Sequence, residues 1–120
     1  MMAEPNLLDV LEDWVKENKT SLSRQGIDIA PEKVDNRITV YAQTQPPSLW
    51  KDEDADDGDY IDIMGRLTLR ADGNFDVELF DGDSMDGIYE ERGAIENQGD
   101  LTSRLASLIL KIRQSAKLED

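Results

Sequence analysis

The sequence predicts an α+β domain: an antiparallel meander of about five strands, with an N-terminal and a C-terminal helix packed on one face. Three observations predict it. Apolar residues recur at helical spacing at both ends of the 120-residue chain. The middle alternates apolar and polar residues with the period of a half-buried strand. Turn residues punctuate that middle at short intervals with no helical pattern between Ile61 and Glu91, so neighbouring strands are joined by hairpins rather than crossover helices. Residues 1–120 read as one domain without an internal repeat.

Leu7, Leu8, Leu11, Trp14, Val15 and Leu22 place one apolar stripe along a helix from about Asn6 to Arg24. Gln25-Gly26 ends it, because glycine enters the left-handed conformation without a Cβ penalty. Ile27 and Ile29 alternate, Pro31 interrupts, and Ile38, Val40 and Ala42 alternate again, which gives two short strands joined through Glu32–Asn36. Pro46-Pro47 cannot continue a central strand, so residues 44–59 read as a long acidic loop. Ile61, Ile63, Gly65, Leu67 and Leu69 pair across Ala71–Asn74 with Phe75, Val77 and Leu79 in a hairpin. Asp76 and Glu78 lie on its solvent side near Thr68 and Arg70, as cross-strand surface pairs. Asp81–Gly87 is a turn, and Ile88–Glu91 is a weaker strand at the edge. Leu101, Leu105, Leu108, Ile109, Ile112 and Ala116 form the second amphipathic helix, with Asp100 placed to cap it and Lys111, Arg113 and Lys117 near its last turn.

Charge separates the segments more sharply than hydropathy. The net charge is −14, and residues 52–100 hold 17 acids against 3 bases, so the other segments together are balanced. The densest run is Asp52, Glu53, Asp54, Asp56, Asp57, Asp59 and Asp62; a second set is Asp81, Asp83, Asp86, Glu90 and Glu91. A block of this kind is either a solvated loop or a face shaped for its field. Trp50 borders the first run, and two readings stand for it: a loop residue folded back on the core, or an aromatic anchor at an interface.

Composition removes most catalytic classes. There is no His and no Cys, so Ser/His/Asp and Cys/His chemistry, zinc fingers and disulfides are excluded. The twelve-residue calcium loop fails on spacing: from Asp52 it puts Asp57 at the turn glycine and Ile63 at the bidentate position, and from Glu53 it puts Ala55 third and Met64 last. Carboxylates in loops and on a solvated strand face stay ionised, unlike the acid of a glycosidase. Gly58, Gly65, Gly73, Gly82 and Gly87 read as turn or bulge residues, and none builds a phosphate loop. The chain is therefore expected to be no enzyme, with no cofactor and no metal. The excess of acid argues against binding a phosphate backbone directly. Met1–Pro5 lacks the basic and apolar regions of a signal peptide, and no window reaches a membrane span, so a soluble cytoplasmic protein is expected.

The stretch from Trp14-Val15-Lys16-Glu17-Asn18-Lys19 through Leu22-Ser23 to Gln25-Gly26-Ile27 resembles the TriTu type of small bacterial immunity protein. So does Gly65-Arg66-Leu67-Thr68-Leu69 followed by Gly73, Asp76, Glu78 and Asp81. The family is associated with contact-dependent growth inhibition. The resemblance implies a cytosolic, non-enzymatic protein that binds and neutralises the C-terminal toxin domain of a cognate secreted effector. In the member that gave the family its name, the toxin is a tRNA-cleaving ribonuclease working with elongation factor Tu, and the three form a ternary complex. Arg70 where an aromatic is expected, and a turn at Asp81–Gly87 without a Thr-Gly pair, bear on which toxin activity is met.

Taken together, these features predict an immunity protein, monomeric in a 1:1 complex, that meets a basic, RNase-type toxin through Trp50, Asp52, Glu53, Asp54, Asp56, Asp57, Asp59, Asp81, Asp83, Asp86, Glu90 and Glu91. A small acidic secretion chaperone is the alternative, but chaperones of that kind carry a further helix between strands. A nucleic-acid mimic acting on a DNA-binding enzyme is a third reading, physically close to the first.

Overall fold

Helix α1 (Leu7–Ser23) starts where Asn6 accepts the Leu8 N–H on its side-chain oxygen at 2.9 Å, satisfying one of the amides that a helix start leaves orphaned. It buries Leu8, Leu11, Val15 and Leu22 and keeps its charged positions outside. Gly26, at φ +87°, turns the chain into β1 (Ile27–Val34). The computed structural model describes residues 6–51, 54, 58 and 60–118.

Five strands follow in chain order across one open sheet, every neighbouring pair antiparallel: β1, β2 (Arg37–Thr44), β3 (Ile63–Arg70), β4 (Asn74–Asp81) and β5 (Gly87–Ala94). The meander expected from the alternating segments is the observed topology. A four-residue helix, α2 (Pro47–Trp50), lies in the β2–β3 connection, and α3 (Gln98–Ala116) closes the chain. Alternation puts Ile38, Val40, Leu67, Leu69, Phe75, Val77 and Leu79 on one face, buried with Leu11, Leu101, Leu105 and Ile112 of the two long helices. The opposite face carries Thr39, Tyr41, Arg66, Thr68, Arg70, Asp76 and Glu78 and has no covering layer among the described residues. The expected surface pairs are there: Arg70 meets Asp76 at 2.9 Å and Arg66 meets Glu78. Such exposed pairs each contribute only about 0–1 kcal/mol.

Three sequence expectations are corrected by the backbone. Pro31 does not interrupt β1: it sits in the strand opposite Val40, and β1 is an edge with one neighbour, where a missing N–H can face outward. Gly65 is neither turn nor bulge. It lies mid-strand between Ala42 and Leu79 under α3, and a Cβ there would come within 2.9 Å of Leu79 Cδ2 and 3.7 Å of Ile112 Cδ1, so its absence lets the helix and sheet close together. The bulge in this sheet falls at Leu79/Phe80, where Gly87 and Ile88 together face Phe80. Finally, Asn97 rather than Asp100 caps α3, taking the Asp100 N–H at 2.8 Å, while the Asp100 carboxylate reaches back to the Glu96 N–H at 3.1 Å.

Candidate functional site

In a meander, alternate connections emerge at the same end of the sheet, so the β2–β3 loop and the β4–β5 turn are brought together. They touch. Ile63 pairs with Asp81, and the Gly82 N–H donates to the Asp62 carbonyl at 2.7 Å. The two acidic runs that are separated by some twenty residues in sequence thus share one end of the fold.

The second run is a tightly tied turn. The Asp81 carboxylate accepts the N–H groups of Asp83 at 2.9 Å and Ser84 at 3.2 Å, and its carbonyl accepts the Met85 N–H at 2.7 Å. The Asp81 N–H donates to the Asp86 carbonyl at 2.9 Å, closing the turn. Met85 is held at φ +62°, a conformation few non-glycine residues adopt, with its side chain 59% exposed. The first run is anchored at its exit by Thr44, the one buried polar side chain among the described residues. Its hydroxyl takes the Ile63 N–H at 2.8 Å and lies 2.8 Å from the Tyr60 hydroxyl, which also reaches Asp62 Oδ1 at 3.3 Å.

Burial pushes the Tyr60 phenol up to about 12, opposed by the hydrogen bond to Thr44 and reinforced by the negative charges of Asp62 and Asp83. The folded state therefore holds this proton more tightly than the unfolded chain, whose tyrosines ionise near 10. Its contribution to stability is complete below about pH 10 and is lost as the pH rises from about 10 to 12. In an ultraviolet titration of the phenolates, Tyr60→Phe is expected to remove a late component near pH 12 and to flatten the loss of stability over that interval.

The structure sorts the sequence-predicted residues into groups. Trp50 folds back: its ring lies against Gly26 and its indole N–H donates to the Gln45 carbonyl at 2.9 Å, with Leu49 beside it 71% exposed. Asp81, Asp83 and Asp86 stand at the shared end, Asp54 lies in the β2–β3 connection, and Asp52, Glu53, Asp56, Asp57 and Asp59 lie outside the described residues. Glu90 and Glu91 are elsewhere, on opposite faces of β5. Glu90 pairs with Arg92 at 3.0 Å on the open face, and Glu91 joins Arg104 of α3 and accepts the Tyr89 hydroxyl at 2.8 Å. Lys111 stands 3.7 Å above the Tyr89 ring in the same seam. Their charges are neutralised locally. By contrast, Asp62, Asp81, Asp83 and Asp86 have no lysine or arginine within ion-pair distance among the described residues, so four carboxylates at the shared end carry their charge without an ion-pair partner.

A family model, that of immunity protein TriTu, matches residues 9–111, from the first turn of α1 to late in α3. The chain belongs to the TriTu immunity protein family. Neither the curated proteins nor the solved structures supply a match. Toxin neutralisation is the role that membership suggests, with a cognate toxin as the partner. No helix among the described residues is long and apolar enough to cross a membrane.

Sequence reasoning missed part of this TriTu protein's exposed end. Asp62 belongs to the acidic run but not to the expected site residues, although its carbonyl joins the two segments. Met64, Phe80 and Ile88 were also missed. Their signal was phase: each is an apolar residue at a position where the strand alternation calls for an outward-facing polar one.

Proposed function

We propose that this TriTu immunity protein neutralises its toxin in a 1:1 complex by setting the acidic end of its sheet against a basic surface of the toxin domain, without catalysis of its own. The observation that carries this reading is the convergence of the β2–β3 connection and the β4–β5 turn at the Asp62–Gly82 contact, where Asp62, Asp81, Asp83 and Asp86 have no ion-pairing lysine or arginine among the described residues. Basic surfaces of that kind belong to proteins that hold phosphates, and an RNase-type toxin is the class this favours. An acidic body lying there competes with the nucleic acid for the same cations, and opposite fields speed the encounter.

The chaperone alternative asks for a further helix between strands. Residues 63–94 instead form three consecutive strands joined by turns.

The test is co-expression. The cognate toxin domain is expected to arrest growth when expressed alone and to lose that effect beside this chain, and the two purified proteins should elute as one 1:1 species. A homodimer of this chain that leaves growth arrest untouched contradicts the reading.

A further inference from the structure

Across the acidic end of the open face runs a diagonal of apolar side chains. Tyr41 on β2 is diagonal to Met64 on β3, Met64 is directly opposite Phe80 on β4, and Ile88 is the extra residue of the bulge beside Phe80. Met85 lies in the β4–β5 turn that joins the strands of Phe80 and Ile88, at the same end of the sheet. Tyr41 is 44% exposed, Met64 36%, Ile88 47% and Met85 59%, with Phe80 half-buried among them, so the strip reaches solvent from β2, β3, β5 and the turn. Residues on an open antiparallel face are expected to be polar, as Thr39, Thr68, Asp76 and Glu78 are on this one. Contiguous exposed apolar surface with a polar rim marks interaction sites in soluble proteins.

The rim identifies the occupant. Asp62, in phase with Met64, and Asp83 and Asp86 of the adjoining turn have no ion-pairing base among the described residues, so a second copy of the same chain would bring like charge against like. We infer that the strip Tyr41–Met64–Phe80–Ile88–Met85 docks the toxin domain through a protruding aliphatic or aromatic group of the toxin ringed by lysine and arginine. This rests on the acidic-end reading above and divides its labour: the aspartates steer and orient, and the apolar strip holds. Rim charges act mainly on the association rate, whereas a desolvated apolar centre acts on the dissociation rate. Met85 and Ile88 are adaptable and aliphatic, suited to closing around a knob rather than to reading hydrogen bonds.

The strained turn supplies a clean variant. Glycine at position 85 accepts φ +62° without a Cβ penalty, so Met85→Gly deletes the side chain while easing the backbone. Association and dissociation of the inactivated toxin domain should be measured for the wild type, Met85→Gly, Ile88→Ser and Asp83→Asn/Asp86→Asn, at low and high salt. The melting temperature of each variant is read alongside. Met85→Gly and Ile88→Ser are each expected to raise the dissociation rate by about 10- to 30-fold at both salts, with the melting temperature of Met85→Gly unchanged or higher. The aspartate double variant is expected to slow association at low salt only. If the apolar variants dissociate like the wild type while the aspartate variant still associates slowly, the strip is overturned and the acidic-end reading survives. If neither set changes either rate, both are overturned.

Discussion

Replacing Asp83 and Asp86 together by lysine is expected to slow capture of the toxin domain by about 10- to 1000-fold at low ionic strength. The physical reason is the concentration of uncompensated charge. On the open face and in the seam between β5 and α3 the acids are matched: Asp76 by Arg70 and Arg92, Glu78 by Arg66, Glu91 by Arg104. Reversing two aspartates at the shared end inverts the local field and barely alters the far side of the molecule, which lies beyond a screening length of about 8 Å at physiological salt. The variant's defect should therefore shrink as salt is added. Stopped-flow association rates at several salt concentrations are the readout, with Glu90→Lys and Glu91→Lys as controls. Because those two carboxylates already have arginine partners, their reversal is expected to cost stability rather than association rate.

The second large effect is on the fold. Leu79 is fully buried, opposite Gly65 in β3 and under α3, and truncating it to alanine is expected to destabilise the protein by about 2–5 kcal/mol. In a domain of this size that lowers the melting temperature by roughly 10 °C or more. Gly65→Ala should also destabilise, because its Cβ would meet Leu79 Cδ2 at 2.9 Å. Combining the two changes is expected to be less harmful than the sum, since alanine at position 79 withdraws the atom that alanine at position 65 would strike. Thermal melts of the two single variants and the double variant measure the coupling. Strict additivity would contradict the packing described for this pair.

How much of this was readable beforehand follows from what a local pattern can encode. The helices and strands announced themselves through periods of 3.6 and 2 in residues such as Leu8, Leu11, Val15 and Leu67, Leu69, and hairpin turns such as Ala71–Gly73 through their turn chemistry. Antiparallel order followed because no segment between the strands was long enough to cross over. The edge position of β1, which lets Pro31 stay within a strand, depends on strand order and so is not carried by its neighbours in sequence. Gly65 looked like other glycines until α3 was seen to lie over it.

The acidic residues show the same division. Their abundance was plain, but which of them are neutralised depends on long-range partners: Glu91 is quenched by Arg104, thirteen positions away on another element. Trp50 is a comparable case, where the fold-back reading is the one its contacts with Gly26 and Gln45 describe. The apolar diagonal on the open face could be suspected from residues out of phase, yet only the register places Met64 against Phe80.

The most direct measurement is the amide hydrogen-exchange footprint of the complex with the toxin domain. Slowed exchange is expected over residues 60–64 and 80–90, with little change on the outward faces of α1 and α3. A footprint confined to the helices, with the β4–β5 turn exchanging as in the free protein, would contradict the account.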